Sequence, residues 1–357
     1  MQYKFLIYIS YSYAIPIGNP LEEEIIKKGY TVKWFSDLED GKVALQKKQN
    51  VIDTIKDVVS YEPHIVLAAT NDIPDFISGI KVQIFHGFNA QKRPEAKNSF
   101  SHFRIRGFFD LYCTQGPTTT IGFKKQQELY PHFEVIETGW SKVDPLFPIE
   151  DKKKESIPTI MIASTFTERL SLAHNDSVFN KIKSLSTSGK YNFKLVLHPK
   201  MTKEIVTKWK TLTGPHFTFY DTTDLVPLFK QADILFADTT SAIQEFLLQK
   251  KTVVTFNHTF KHNYLIDIND ANLIEASFKR ALTYPADLIK NIDTFIKDLH
   301  PYFDGKSSQR VISATIDFLH KDKKHLKRKP LNLIRKYKIR KRLNFFTLKS
   351  YNKPFTK

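Results

Sequence analysis

Residues 232–256, ADILFADTTSAIQEFLLQKKTVVTF, contain the pattern that decides the fold of this chain. An apolar run ends at Asp238, and three hydroxyl residues follow at 239–241. An amphipathic segment then leads to a second β-rich run at 252–256. This order predicts a strand, a turn, a helix and a second strand, so the stretch favours an α/β fold.

The turn at 239–241 is a candidate anion site. Ser241 is followed three residues later by Gln244, the spacing of a capping box, so we expect a helix to begin here. The first N–H groups of a helix have no partner within it, and with the hydroxyls of Thr239, Thr240 and Ser241 they could bind a phosphate. The alternative is that the three hydroxyls only cap the helix.

Length and composition predict a folded protein with two domains. The chain has 357 residues, 41% of them hydrophobic, including 29 Phe. The single Cys113 excludes an internal disulfide, fits a reducing compartment and is expected to be buried. No apolar run reaches the roughly 20 residues that span a bilayer, and residues 5–18 are interpreted as the first buried strand rather than a signal peptide.

The net charge of +17 is concentrated at the C-terminus. Residues 321–357 contain fifteen Lys or Arg and one acidic residue, Asp322, and therefore carry +14, which leaves +3 for residues 1–320. The body of the protein is nearly neutral, so the basicity is a property of the tail.

Two series of strands and helices follow each other along the chain. Predicted strands lie at 5–10, 30–35, 64–69, 81–85, 111–114 and 133–137, and then at 159–163, 193–197, 217–220, 233–236 and 252–256. Predicted helices open at Asn19-Pro20 and lie at 46–60, 273–282, 286–299 and 308–320. The chain lacks GxGxxG, the dinucleotide-binding fingerprint.

A stretch rich in proline and charge separates the two series and predicts a linker at 146–157. We therefore expect a first Rossmann-like domain at 1–145, a second at 158–320 and a basic amphipathic tail at 321–357. Two doubly wound domains would face a central cleft with the carboxyl ends of their strands.

Several motifs in this order resemble the CDP-glycerol glycerophosphotransferase family, the teichoic-acid and capsule polyol-phosphate transferases with a GT-B fold. The resemblance covers residues 81–320 and rests on FHGFNAQKR (85–93), TGWSKVD (138–144), ASTF (163–166), LHP (197–199), the stretch 224–246 and DGKSSQR (304–310). The chain differs where Thr239 replaces the family's tyrosine and where Phe88-Asn89 replaces Thr-Pro. Some of these patterns also resemble nucleotide-sugar transferases and UDP-N-acetylglucosamine 2-epimerases.

The resemblance implies roles for individual residues. His86 would be the general base on the acceptor side, and His198 would act at the donor phosphates, for which imidazole chemistry is suited. The remaining residues implied to bind the donor nucleotide are Thr239, Thr240, Ser241, Glu245, Ser307, Ser308 and Arg310. Glu245 would accept the ribose hydroxyls, while Asp238 is expected to order the turn. Hydroxyls and a guanidinium can stabilise a phosphate leaving group, so no metal or other cofactor is expected.

The implied function is transfer of a polyol phosphate, glycerol phosphate first, from a CDP donor to a hydroxyl of a lipid-linked or polymeric glycan in cell-surface polysaccharide synthesis. One alternative is a GT-B glycosyltransferase that uses a nucleotide-activated sugar for capsule or lipopolysaccharide. Another is a non-catalytic protein that binds membrane or nucleic acid.

The tail interleaves aromatic and basic residues, as in LNLIRKYKIRKRLNFFTL (331–348). Such a segment favours the surface of an anionic membrane, where each nearby Lys or Arg contributes about 1 kcal/mol. We therefore predict a cytoplasmic protein held peripherally at the inner face of the cell membrane. A solvated disordered tail is the alternative, and nucleic-acid binding is a third interpretation that no base-reading motif supports.

Overall fold

The computed structural model describes residues 2–89, 102–150 and 156–354. Twelve strands lie in these ranges: β1 (Lys4–Ile9), β2 (Thr31–Ser36), β3 (Ile65–Ala68), β4 (Ile80–Gln83), β5 (Leu111–Thr114), β6 (Glu134–Glu137), β7 (Thr159–Ser164), β8 (Asn192–Leu197), β9 (Phe217–Phe219), β10 (Ile234–Ala237), β11 (Val253–Phe256) and β12 (Ile266–Ile268). The α-helices described are α1 (Ile15–Lys27), α2 (Glu39–Leu45), α3 (Ile55–Tyr61), α4 (Pro117–Leu129), α5 (Asp176–Thr187), α6 (Lys203–Lys210), α7 (Val226–Gln231), α8 (Ala242–Leu247), α9 (Ile274–Leu282), α10 (Ala286–Leu299), α11 (Ser307–His320) and α12 (Leu333–Arg342). Parts of two predicted regions, 90–93 of the FHGFNAQKR motif and 151–155 of the linker, lie outside the described residues.

The chain divides into two α/β units, which confirms the predicted fold class. Among the described residues, unit 1 contains 2–86, 102–148 and 299–354, and unit 2 contains 87–89, 149–150 and 156–298. The predicted division therefore needs a correction, because residues 299–320 were assigned to the second domain. They belong to unit 1, where α11 packs against α1.

Unit 1 contains a six-stranded parallel sheet in the order β2-β1-β3-β4-β5-β6. Every residue of β3, β4 and β5 is buried, as expected for parallel strands that are covered on both faces. The strand order reverses between β1 and β3, and ligands of such sheets bind where the carboxyl ends of the strands flank a reversal.

Unit 2 contains a second parallel sheet in the order β12-β11-β10-β7-β8-β9. This is the doubly wound order in which β7 and β10 are neighbours and the strand order reverses between them. The loops after these two strands begin at Thr165 and Asp238.

Three local predictions were wrong or incomplete. Helix α1 begins at Ile15, four residues before Asn19, and contains Pro20 in its interior. Its start is compatible with Pro16, because the N–H groups of the first turn have no partner within the helix and proline there loses no hydrogen bond. The predicted helix at 46–60 begins only at Ile55, where the Thr54 hydroxyl caps it by accepting from the Asp57 N–H at 3.2 Å. Strand β12 was not predicted.

Candidate active site

Asp238 organises the carboxyl edge of the unit 2 sheet. It is fully buried, and its carboxylate accepts hydrogen bonds from the Ser164 hydroxyl at 2.6 Å, the Thr165 N–H at 3.0 Å and the Leu172 N–H at 3.0 Å. Because Ser164 ends β7 and Asp238 follows β10, these bonds join the loops on the two sides of the strand-order reversal. Asp238 therefore orders the turn, as predicted.

The three hydroxyl residues after Asp238 have different surroundings. Thr239 is fully buried, and its hydroxyl accepts from the Thr259 N–H at 3.0 Å and bonds to the Thr259 hydroxyl at 3.0 Å. Its predicted contact with a ligand would have to break this pair. Thr240 and Ser241 are partly exposed, and the Thr240 hydroxyl accepts from the Ala242 N–H at 3.4 Å. Of the three hydroxyl residues of the turn, Thr240 and Ser241 are therefore the ones that are partly exposed to solvent.

The predicted capping box is wrong. Ser241 has helical dihedral angles, and its side chain accepts no capping hydrogen bond. The Gln244 amide instead donates to the backbone carbonyl of Asn89 at 2.7 Å. The Ser241 side chain is thus not used to begin α8, which has only six residues.

The segment after His86 lies against the same turn. A Cβ atom added to Gly87 would stand 3.7 Å from Ser241 Oγ, so the glycine backbone passes close to that hydroxyl. Asn89, two residues later, accepts the bond from Gln244. Gly87 and Asn89 both belong to unit 2. Two motifs that are more than 150 residues apart in the sequence are therefore neighbours.

His198 follows β8 at the same edge of the unit 2 sheet and is partly buried. Its Nδ1 accepts from the Lys200 N–H at 3.1 Å, so the neutral ring carries its hydrogen on Nε2. The ring packs on Phe166, with the ring centres 4.5 Å apart. An Nε2–H donor held in this way suits an anionic oxygen. Glu245 lies in the first turn of α8 and is 2% exposed, and its predicted contact with ribose stays a prediction.

His86 follows β4 at the carboxyl edge of the unit 1 sheet. The preceding residue, Phe85, is buried and has a φ of 57°, a left-handed conformation that is strained for a bulky side chain and often marks functional positions. His86 remains solvent-exposed, with the Tyr13 ring 6.1 Å from its own. Desolvation by the surrounding protein, with the positive charge of Arg106, lowers the pKa of His86. A lowered pKa favours the neutral ring, the form a general base requires.

Ser307 and Ser308 begin α11 in unit 1, and a carboxylate occupies this helix start. Asp144 accepts from the Ser307 N–H at 2.8 Å, the Ser308 N–H at 2.6 Å and the Ser308 hydroxyl at 2.7 Å. Both serines are buried. A phosphate bound here, as predicted, would have to displace Asp144. The bonds explain instead why TGWSKVD and DGKSSQR occur together, because the first motif caps the helix that the second begins.

Arg310 lies one turn further along α11. Its guanidinium pairs with Asp304 and stacks on the Tyr302 ring at 4.1 Å from the ring centre. Tyr302 in turn donates to Glu137 at 3.1 Å. Arg310 belongs to unit 1 and Ser241 to unit 2. The partner that the structure gives to Arg310 is Asp304, within unit 1.

Sequence reasoning missed two residues that shape unit 1. Asp144 was quoted in a motif, but no local signal tied it to a helix start 163 residues away. Arg342 was treated as part of a free tail, whereas it pairs with Asp37 at 2.6 Å and with Asp72 at 3.1 Å. Asp37 and Asp72 follow β2 and β3, so Arg342 lies near the strand-order reversal of the sheet.

Metal-binding clusters and membrane-spanning helices are absent from the described residues. No group of three His, Cys, Asp or Glu side chains there is arranged to hold a metal ion. Within the same ranges, no helix is both long and apolar enough to cross a membrane.

No protein-family model and no curated protein matches the sequence, so membership of the glycerophosphotransferase family stays a prediction. Solved structures do match the fold. The wall teichoic acid polymerase TagF matches with a TM-score of 0.66 at 11% identity, over 89% of this chain and 89% of that chain. S. aureus MnaA in complex with UDP matches with a TM-score of 0.61 at 13% identity, over 89% of this chain and 97% of that chain.

A UDP-GlcNAc 2-epimerase from Neisseria meningitidis bound to UDP-GlcNAc also matches, with a TM-score of 0.57 at 16% identity, over 88% of this chain and 99% of that chain. These likenesses, together with the two doubly wound sheets, define the fold as the GT-B type.

Proposed function

We propose that this protein is a GT-B transferase that moves a polyol phosphate, glycerol phosphate first, from a CDP-activated donor to a hydroxyl of a lipid-linked glycan in cell-surface polymer synthesis. The fold likeness to TagF supports the class of reaction, and the likeness to structures holding UDP or UDP-GlcNAc supports a nucleotide-linked donor. His86, His198, Thr240 and Ser241 would carry the chemistry.

The observation that supports the proposal most directly is the position of the segment 86–89. Gly87 lies against Ser241, and His86 directly precedes Gly87 in the chain. His86 is therefore joined by one peptide bond to the glycine that lies against the partly exposed hydroxyl turn. A phosphoryl acceptor needs a base, and a phosphoryl donor needs hydrogen-bond donors, within a few ångströms of each other.

The proposed step forms one P–O bond and breaks another. The acceptor oxygen attacks the phosphorus that bears the polyol, its proton passes to His86, and the bond from this phosphorus to the oxygen of CMP breaks. The hydroxyls of Thr240 and Ser241, with the Nε2–H of His198, would bind the departing phosphate. Hydrogen-bond donors aimed at developing negative charge are commonly the largest contribution to such catalysis.

A thermal-shift screen of CMP, CDP, UDP, CDP-glycerol and UDP-sugars tests the donor site without the acceptor. At a ligand concentration 100 times the dissociation constant, binding should stabilise the protein by about 2.7 kcal/mol. Ser241→Ala should weaken binding of the preferred nucleotide. Ser186→Ala should not, because Ser186 is a surface residue of the same unit whose hydroxyl bonds only within α5. If no nucleotide shifts the melting temperature, the donor-site assignment fails.

His86→Gln should lower kcat by about 10² to 10⁴, the usual contribution of a general base, while nucleotide binding is retained. The matched control is His216→Gln, because His216 precedes β9 at the opposite edge of the unit 2 sheet. Because its pKa is lowered, His86 should also give a pH–rate profile that stays flat to a pH below the ordinary histidine value of about 6.5. A His86→Gln protein that binds nucleotide and transfers at the normal rate would show that another residue is the base.

The same assay separates the sugar transferase from the polyol-phosphate transferase. Release of CMP from CDP-glycerol or CDP-ribitol only when a glycan acceptor is added supports the proposal. Release of a nucleotide from a UDP-sugar under these conditions would support the alternative, a glycosyltransferase, which is consistent with the fold likeness to an epimerase bound to UDP-GlcNAc.

A further inference from the structure

The C-terminal segment exposes more large apolar side chains than any other stretch of comparable length in the described chain. Of the fifteen exposed large hydrophobic residues among those described, six lie between 331 and 348. We call these six the tail surface: Leu331, Leu333, Ile334, Tyr337, Phe346 and Leu348. Ile334 is 74% exposed and Leu348 is fully exposed. Burial of such side chains in an apolar environment would be favourable, so this surface suits a partner.

Helix α12 turns three of its four apolar side chains outward and some of its cations inward. Leu333, Ile334 and Tyr337 are exposed at the spacing of one helix face, while Lys336 and Ile339 are buried. An ordinary surface helix buries its apolar stripe, whereas α12 leaves most of its apolar residues outside. Ile339 alone in α12 joins the core of unit 1, where Leu343 and Phe345 also pack, so the packing on the inward side leaves the other apolar residues uncovered.

The inward side is held by specific ion pairs. Asp75 pairs with Arg340 at 2.6 Å and with Lys336 at 3.4 Å. Earlier in the segment, buried Lys329 pairs with buried Asp110 at 2.7 Å. Paired charges that are buried are costly to separate, so they fix which face of the segment points outward.

The outward side retains its positive charge. Lys338 and Lys341 continue the exposed face of α12, and neither pairs with a carboxylate among the described residues. The Tyr337 and Phe346 rings, with centres 6.3 Å apart, join α12 to the residues after it in one patch. Apolar, aromatic and cationic side chains are thus interleaved on one surface.

We propose that the tail surface docks on the face of an anionic lipid bilayer. Leucine, isoleucine and aromatic side chains would enter the headgroup region, while Lys338 and Lys341 would lie at the anionic lipid phosphates. Four of the six side chains of the tail surface are aliphatic and offer no flat ring on which a base could stack, so the composition favours lipid over nucleic acid. This surface does not depend on which group the protein transfers.

Sedimentation of the full-length chain with vesicles tests the proposal. The protein should bind vesicles of phosphatidylcholine with added phosphatidylglycerol, bind phosphatidylcholine alone weakly, and dissociate in high salt. The double variant Lys338→Gln/Lys341→Gln should lose roughly 30-fold in partition coefficient, since each cation contributes about 1 kcal/mol. The control Lys124→Gln/Lys125→Gln removes two exposed charges from α4 and should bind normally.

A second pair of variants tests the apolar contribution. Leu333→Ser/Ile334→Ser should also lose vesicle binding, whereas Ile26→Ser/Leu273→Ser, which changes exposed residues elsewhere, should not. All four residues are exposed, so unchanged melting temperatures should accompany each variant. The proposal is overturned if anionic vesicles are not bound, if the tail variants bind as well as their controls, or if the tail variants bind vesicles normally but lose binding to RNA or DNA.

Discussion

Replacement of Asp238 tests the central feature of the unit 2 site, because two substitutions should have different costs. The Oδ2 oxygen accepts from the Ser164 hydroxyl and from the Leu172 N–H, and the Thr165 N–H reaches both oxygens, at 3.0 and 3.1 Å. An asparagine with its oxygen at the Oδ2 position keeps an acceptor for all three donors, but its NH2 group then takes the Oδ1 position, where the Thr165 N–H loses its 3.0 Å acceptor. An alanine can keep none.

The expected magnitudes follow from these bonds. Charged acceptors form hydrogen bonds about twice as strong as neutral ones, so Asp238→Asn should cost about 1–2 kcal/mol. Asp238→Ala leaves two buried backbone N–H groups without this acceptor, at about 1–3 kcal/mol each, and should cost about 4 kcal/mol in total. The Ser164 hydroxyl adds less, since it also bonds to the Ser171 hydroxyl at 2.9 Å.

Urea unfolding gives the free energies, and hydrogen exchange of a peptide covering 164–173 reports on the loop itself. The alanine variant should lose protection in that peptide and weaken nucleotide binding, while the asparagine variant should retain most of both. Asp221→Ala, an exposed carboxylate of the same unit, is the control. Equal costs for the two substitutions, or unchanged exchange in the alanine variant, would refute the assignment of the bonds.

Two further predictions concern unit 1. Burial, with the charge of Lys329, lowers the pKa of Lys81 to about 7, well below its unfolded value of about 10.5. Between pH 7 and 10 the unfolded chain therefore binds more protons than the folded protein, so the free energy of unfolding should rise with pH over this range. The Lys81→Met variant should lack this rise. If the urea midpoint changes equally in the two proteins between pH 7 and pH 9, the prediction is contradicted. A Cβ at Gly18 would stand 2.1 Å from buried Trp34, so Gly18→Ala should cost about 1–3 kcal/mol by urea unfolding. Gly214→Ala should be neutral, because its Cβ would meet only the Leu212 carbonyl oxygen at an ordinary contact distance of 3.8 Å.

The strands were predictable because buried parallel strands are continuous apolar runs. The run at 111–114 was predicted as a strand and is β5 without change. Strand β12 was missed because it has only three residues, with exposed Asp267 at its centre. A continuous apolar run in the sequence predicts a buried strand, and a strand as short as β12 has no such run.

The site was less predictable than the sheets, because its residues interact across long sequence separations. The motif containing Ser307 and Ser308 suggested a phosphate site at a helix start, and the helix does begin there. Its anion is the side chain of Asp144. A helix N-terminus favours any negative charge, so sequence alone does not distinguish an external phosphate from an internal carboxylate.

The C-terminal segment connects the two proposals through unit 1. Arg342, at the end of α12, pairs with Asp37 and Asp72, which follow β2 and β3. His86 follows β4, the strand next to β3 at the same carboxyl edge. The outward face of α12 carries three residues of the tail surface, Leu333, Ile334 and Tyr337. If the tail surface lies on lipid, the ion pairs of Arg342 would hold this edge of the unit 1 sheet, which His86 follows, on the membrane side of unit 1, as a lipid-linked acceptor requires.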